Sequence, residues 1–399
     1  MWRANDKKKF GDESLKTLEQ SHEELKNAVE RSFGSIKDPR SYINRKHKLI
    51  DIIFITICAV IGGADNLSEV VTFADTHRNW FSKIIDLPYG IPSCSVFWWM
   101  FVLIQPEVLQ ASFKKWILLV TNGKLGEHVA IDGKALRGSA SKGSSFIHTV
   151  SAWASDFQIT LAQEKVDCKS NEITAIPEVL KKLNVEGATV TIDAMGTQKK
   201  IAGQIREQGA DYILAVKGNQ ESIHDEVENF FVQAEQCNFE GIEHDIYREE
   251  SGKEEHGRIE KRTVYATSEI DWLPQKKDWK DLQSIVMVVS ERIINGQASI
   301  EKRMYISSRK PDAKKHGYFI RGHWGIESCH WILDVSFFED KSKMRTGHLP
   351  ENFSMIRRIA LSLLKQDKRT KGSIKAKRKR AGWCTNYLEK VLNFIKSLA

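Results

Sequence analysis

Residues 128–139 read HVAIDGKALRGS. The run Val129, Ala130 and Ile131 has the composition of a buried strand. It leads straight into Asp132, and then come Gly133 and two cations, Lys134 and Arg137. A carboxylate at the end of an apolar strand loses hydration free energy unless something cationic offsets it. Residues 188–195, ATVTIDAM, repeat the arrangement, with Val190, Thr191 and Ile192 running into Asp193. Two strands that each deliver one aspartate at the polar end point to a shared task. Side by side in a sheet, two carboxylates cannot both stay ionised without a cation between them. Oxygen donors of this kind suit Mg2+ or Mn2+.

A third contributor is expected on a helix facing that sheet edge. In residues 321–334, RGHWGIESCHWILD, helical spacing lines up His323, Glu327, His330 (or Trp331) and Asp334 on one stripe. Glu327 is the best-placed third ligand. Glu339 and Asp340 compete for that place, since FFED reads as the end of the same helix. Ion pairing of these acids with Arg321 or Lys341 is an alternative to metal binding. Zinc is another, with His323, Glu327 and His330 as feasible ligands, although their spacing is not HExxH. An Asp, Asp, Glu set that holds two divalent ions serves phosphodiester chemistry. One ion lowers the pKa of a water or 3′-hydroxyl and the other stabilises the leaving oxygen.

Around these residues the chain divides by pattern. Residues 1–27 read as a polar leader and 28–122 as an all-helical N-terminal domain. Within that domain, residues 49–61 are apolar nearly all round and stop at Gly62-Gly63. Residues 66–85 read as one amphipathic helix, and Pro106 divides two further helices. Residues 123–219 alternate strands and helices as a mixed sheet with helices packed on it, and Asn171 is the expected cap of one helix. Residues 220–310 read as a β-rich insertion after one acidic helix, with Asn295-Gly296 turning a hairpin. Helical signals return over 311–364. A basic segment and a closing helix occupy 365–399.

The 399 residues are 41% hydrophobic and 28% charged, the composition of a soluble globular protein. The longest apolar run is broken by Asp51 and too short to span a bilayer comfortably, so it reads as a buried helix. No signal peptide opens the chain. Six cysteines without a CxxC pair suggest reduced thiols and a cytosolic setting. The net charge of +8 is concentrated in residues 365–380, which hold nine Lys and Arg against one Asp. Such a segment is an electrostatic footprint for phosphate backbones, or else a solvated linker.

The segments AIDGKALRGS, SNEITAIPEVL, TIDAMGTQKKIA, DYILAVKGNQ, HGRIEKR, RGHWGIESCHWILDVSFFED and MRTGHLPENFSMIRRIAL resemble the H-repeat-associated group of bacterial insertion-sequence transposases. The resemblance holds in order and spacing over about residues 30–395. It implies an α/β fold: an RNase H-like mixed sheet flanked by helices, with a β-rich insertion and a helical N-terminal domain. It implies Asp132, Asp193 and Glu327 as the catalytic, metal-holding acids, and two Mg2+ ions with Mn2+ as substitute. The implied partners are double-stranded DNA, at element ends and target, and a second copy of the chain in the synaptic complex. No membrane and no small-molecule substrate are expected, and the implied location is the bacterial cytoplasm at the nucleoid. In the broad class a Tyr, an Arg and a Lys accompany the Glu. Tyr318 and Arg321 fit the first two, Asp334 stands where the Lys falls, and Lys341 or Lys343 is the substitute.

Candidate DNA contacts are Lys134, Arg137, Lys217, Tyr318, Arg321, His323, Lys341 and Arg345, with Asn219, Gln220, His256, Arg258, Arg357 and Arg358 behind them. Trp324 and Trp331 read as core packing, and Glu172 as a first-turn carboxylate favoured by the helix dipole. A nuclease without strand transfer and a non-catalytic DNA-binding relic are the rival readings.

Overall fold

The computed structural model describes residues 20–120, 125–140, 146–166, 171–253, 258–294 and 296–396. The chain opens with helices. α1 covers 20–33, and α2 (Leu49–Ile61), α3 (Leu67–Thr76), α4 (Arg78–Phe81), α5 (Cys94–Leu103) and α6 (Pro106–Val120) follow. α1 runs across residue 27, so the polar opening and the helical part share an element. Nearly every residue of α2 is buried, as its all-round apolar sequence requires. Gly63, at φ +111°, ends it in a conformation that side chains resist. The amphipathic stretch expected as one helix is two, because the chain breaks at His77 (φ −104°, ψ 20°). At Ile104 the backbone turns extended, Pro106 opens α6, and the pair α5–α6 bends by 92°.

The sheet begins with an antiparallel meander of β1 (His128–Leu136), β2 (Ile147–Ala154) and β3 (Ile159–Lys165). After α7 (Glu172–Lys181), β4 (Thr189–Ile192) pairs parallel with β1, and after α8 (Lys199–Glu207), β5 (Asp211–Val216) pairs parallel with β4. Both short strands are almost wholly buried, the two threonines of β4 included. Asn171 stands at the α7 N-cap but makes no capping bond with its side chain.

Then come α9 (Glu221–Gln236), β6 (Asp245–Lys253), β7 (Arg258–Thr267), β8 (Ser284–Ile294) and β9 (Gln297–Ser307). The β8–β9 hairpin pairs Ile294 with Gln297, and Gly296 in its turn has φ +80°. Asn295 lies outside the described residues, as does His256. β9 returns antiparallel to β5, so these four strands extend one continuous sheet in the order β3-β2-β1-β4-β5-β9-β8-β7-β6. The first five strands of that order form the RNase H-like arrangement.

α10 (Ala313–Ser336) crosses one face of the sheet, and α11 (Leu349–Gln366), α12 (Ile374–Trp383) and α13 (Thr385–Lys396) complete the chain. The FFED stretch does not end α10. The helix stops at Ser336, Phe338 turns to φ +50°, and Glu339 and Asp340 lie in a single 3-10 turn beyond it.

The N-terminal helices and α11–α13 share one apolar core with the sheet. Asn352 of α11 donates to the carbonyls of Phe101 and Ile104, which the end of α5 leaves open. Arg357 and Arg358, proposed from sequence as DNA contacts, are buried. Arg357 donates to the Asp65 carbonyl, and Arg358 Nη1 lies 3.2 Å from Glu339 Oε1. The basic segment is likewise only partly free. Arg378 is buried against the Val60 and Ala64 carbonyls and Asp65, and Lys377 bonds the Leu364 and Asp367 carbonyls. Lys365 lies over the Trp153 ring at 4.4 Å. Exposed cations remain at Lys368, Arg369, Lys371, Lys375, Lys379 and Arg380.

Candidate active site

Asp132 does not end its strand. β1 continues to Leu136 on the β2 side, with Asp132 opposite Ser151. The pairing that stops is with β4, whose last register partners are Ile131 and Ile192. Asp132 and Asp193 are each one residue past that pair, where the two strands part and the sheet opens.

α10 closes over this opening, and the stripe read from its sequence faces it. His323 Nδ1 lies 2.9 Å from the Thr191 hydroxyl, His330 Nδ1 lies 3.4 Å from Asp132 Oδ2, and Lys134 Nζ donates to Asp334 Oδ1 at 2.6 Å. Glu327 sits between them and lines a cleft of about 290 Å³ with Asp193, Lys217, Arg303, His323 and Trp324. His323 feels the charges of Asp132, Glu327 and Asp193 together. A second groove, lined by Arg262, Arg292 and Arg303, meets the cleft at Trp324 and Glu327. Arg262 lies 4.7 Å from the Trp324 ring centre and Arg303 5.6 Å, so Trp324 is a cation-flanked ring rather than plain core. Trp331, also read as core, is exposed.

The electrostatics separate the carboxylates. Burial pushes the Asp132 carboxyl up, but His330, His323 and the Gly133 N–H outweigh it and leave it below its ordinary value. Burial, with the repulsion of Asp132, holds Asp193 above its ordinary value despite the Gly196 N–H at 3.2 Å. Glu172 is pushed up to about 7 by burial and by the charges of Asp132 and Asp193. His128, driven down to about 3 by burial, is neutral, and its Nε2 lies 2.8 Å from Thr191 Oγ1. One hydroxyl thus joins His128 to His323 and engages the His323 ring at Nδ1.

Several sequence candidates lie elsewhere or are already engaged. Lys134 is buried, with Glu339 and Asp340 also within 4 Å, so its ammonium is closed to a DNA phosphate. Tyr318 donates to Asp156 Oδ1 at 2.6 Å, and Arg321 Nη1 lies 2.9 Å from Glu249, which also accepts from Arg262. Arg137 is 77% exposed, with Asp340 3.7 Å away. Arg345 donates to the Gly138 carbonyl at 3.2 Å, and Lys341 is exposed beside the Phe338 ring. Lys217 is exposed at the cleft and acts on Asp193.

The family described as "Transposase DDE domain" matches residues 123–363, and the one described as "DDE_Tnp_1-associated" matches residues 31–117. The chain belongs to the DDE transposase family. It is 40% identical over 365 residues to "Putative transposase YncI" of Escherichia coli O157:H7, across 90% of this chain and 92% of that one. It is 38% identical over 377 residues to "H repeat-associated putative transposase YhhI" of Escherichia coli (strain K12), across 92% and 98%. A piggyBac transposase, solved in a synaptic complex with hairpin DNA, overlays with a TM-score of 0.41 at 10% identity. That overlay covers 92% of this chain and 79% of the other, a likeness too slight to carry an argument.

DDE transposases use divalent metal ions, and the donor set here fits such ions. Asp193 and Glu327 line one cleft and act with Asp132 on His323, and the buried Nε2 atoms of His323 and His330 have no partner. Both Nδ1 atoms of that histidine pair are engaged. Among the described residues, one trio alone has its ligand atoms within 4.8 Å of one another, His224, Asp225 and Glu228. Asp132, Asp193 and Glu327 are not such a trio. No single described helix is long and apolar enough to cross a membrane.

Sequence reasoning gives no role to His128 and Thr191 and assigns Glu172 only to the helix dipole. A polar residue inside an apolar strand, Thr191 or His128, was the available signal for the first two. For Glu172 the signal was the glycine after Asp132, whose missing side chain leaves room for something else.

Proposed function

We propose that this transposase binds double-stranded DNA at the ends of its element, cleaves there and joins the freed 3′ end to target DNA. The proposed ligands of two Mg2+ ions, replaceable by Mn2+, are Asp132, Asp193 and Glu327. Such ions activate the attacking hydroxyl and stabilise the leaving oxygen of the phosphodiester. The carrying observation is that Asp132 and Asp193 stand one residue past the last β1–β4 pair, and that Glu327 lines the cleft beside Asp193.

The chain's own groups do the positioning. The Thr191 hydroxyl holds His323, and His330 holds Asp132, so both carboxylate-bearing elements meet α10 in fixed register. Lys217 and Arg303 at the cleft, and Arg292 along the adjoining groove, grip the DNA backbone, with the buried Arg262 supporting Trp324 beneath them. Arg137, Lys341 and Arg345 extend that path past the β1 end. The helices of 28–122 and the strands of 220–310 recognise the element end, and the exposed cations of 365–399 add sequence-independent affinity. A homodimer brings two ends together at the nucleoid, in the bacterial cytoplasm.

The test is a cleavage and strand-transfer assay with an element-end duplex, a target plasmid and Mg2+ or Mn2+. Wild type joins the end to the plasmid, whereas Asp193→Asn binds the end and leaves it intact. Cutting without joining would make the chain a nuclease. Binding without cutting by wild type would make it a relic.

A further inference from the structure

We propose that Glu172 is a fourth carboxylate of the divalent-metal site, reaching it through the gap that Gly133 leaves in β1. This rests on the function proposed above. Glu172 occupies the first turn of α7. A Cβ placed on Gly133 would lie 2.0 Å from Glu172 Oε1, 2.1 Å from its Cδ and 2.4 Å from Oε2. The whole carboxylate therefore occupies the space a side chain would fill. Gly133 follows Asp132 directly, and successive residues of a strand point to opposite faces.

On one face Asp132 and Lys134 meet α10, through His330 and Asp334. On the other, Glu172 enters at Gly133. A continuous sheet would keep the two faces apart. Here it does not, because β4 ends at Ile192 and leaves β1 unpaired on that side from Asp132 onward. Carboxylates from both faces converge on that gap.

A helix-dipole role does not account for this placement. A first-turn carboxylate gains from the dipole while standing in water, whereas Glu172 is drawn inward toward two like charges, Asp132 and Asp193. Among the described residues it has no hydrogen-bond or ion-pair partner, and no cation acts on it. The second sign of a ligand is independent of Glu172. On α10 the buried Nε2 of His323, whose ring faces Asp132, Glu327 and Asp193, is also without a partner. Like charges held together in a partly buried site are stable only with a cation among them.

The experiment measures Mn2+ binding to the full chain by titration calorimetry, with melting temperature followed with and without Mn2+. The proteins are wild type, Glu172→Gln, Glu172→Asp and Asp193→Asn. Glu172→Gln is expected to weaken Mn2+ binding at least about tenfold. It is also expected to melt higher than wild type in the absence of metal, since a like charge is gone. Glu172→Asp is expected to recover part of the affinity. A Gln variant that binds Mn2+ within about twofold of wild type, melts lower without metal or fails to fold overturns the proposal. If Asp193→Asn loses Mn2+ binding while Glu172→Gln keeps it, this inference alone fails. If both bind as wild type does, the Asp132, Asp193 and Glu327 ligand set fails as well.

Discussion

Lys134 Nζ lies 2.6 Å from Asp334 Oδ1 and joins β1 to α10 two residues past the candidate catalytic Asp132. Related transposases of the broad class are expected to carry a lysine where α10 has Asp334. In this chain the cation of the pair is on the strand and the acid on the helix.

Removing that cation exposes the cost of the arrangement. In Lys134→Ala, Asp334 would lose its ion-pair partner and face Glu339 and Asp340, which keep Arg358 and Arg137. The expected loss is roughly 2–4 kcal/mol, below the range for a fully buried pair because Asp334 keeps 31% of its side chain in water. Urea unfolding measures it, and a loss under about 0.5 kcal/mol would place the pair among surface bridges.

Two glycines make an opposite pair. A Cβ on Gly382 would sit 2.3 Å from the Gly62 carbonyl oxygen, a backbone atom that cannot turn aside. Gly382→Ala is expected to cost about 2 kcal/mol or more through overpacking. Gly203, inside α8, meets nothing within 4 Å, so Gly203→Ala is expected to stabilise by about 0.5–1 kcal/mol. Thermal melts of the two variants should move in opposite directions.

Asp51 supplies a pH signature. Burial, the largest influence, pushes its carboxyl up to about 6 against the opposing pull of Lys48. An unfolded aspartate titrates near ~4. Between those values the unfolded chain has released its proton and the folded chain has not. Stability therefore falls as pH rises from about 4 to about 6 and is level above. Asp51→Asn should raise stability at pH 7 by roughly 1–2 kcal/mol, allowing for partial solvent screening, and change little at pH 4.

The basic segment should divide by burial. Replacing the exposed Lys368, Arg369, Lys371, Lys375, Lys379 and Arg380 by Gln is expected to leave the fold intact. The same change should flatten the salt dependence of DNA affinity by several units of log–log slope. Arg378→Gln is expected to reduce stability, because Arg378 satisfies the Val60 and Ala64 carbonyls. Filter binding across a salt series, paired with melting curves, separates the two classes. An unchanged slope in the sixfold variant would take the segment out of the DNA interface.

What was legible in the sequence follows from periodicity. The runs before Asp132 and Asp193 read as strands because burial on both faces leaves short apolar runs. The stripe His323, Glu327, His330 and Asp334 read correctly because helical spacing alone fixes which residues share a side. What escaped depends on contacts across the chain. Lys134 reads as a free cation until three carboxylates close over it. Arg357, Arg358 and Arg378 read as a DNA-facing surface until the partners they meet are known. Glu172 reads as a helix-start residue until Gly133 lies beneath it.

The returning strand β9 also has a consequence for how the protein is made. Asp132 and Asp193 leave the ribosome early, but Glu327 follows the whole of β6–β9, and α10 can dock only on a sheet those strands have joined. With synthesis at roughly 5–20 residues per second, a nascent chain spends about 7–27 seconds with Asp132 and Asp193 made and Glu327 still missing. The third of the proposed metal-holding acids thus arrives late in translation, after most of the helical N-terminal part and the sheet have been made.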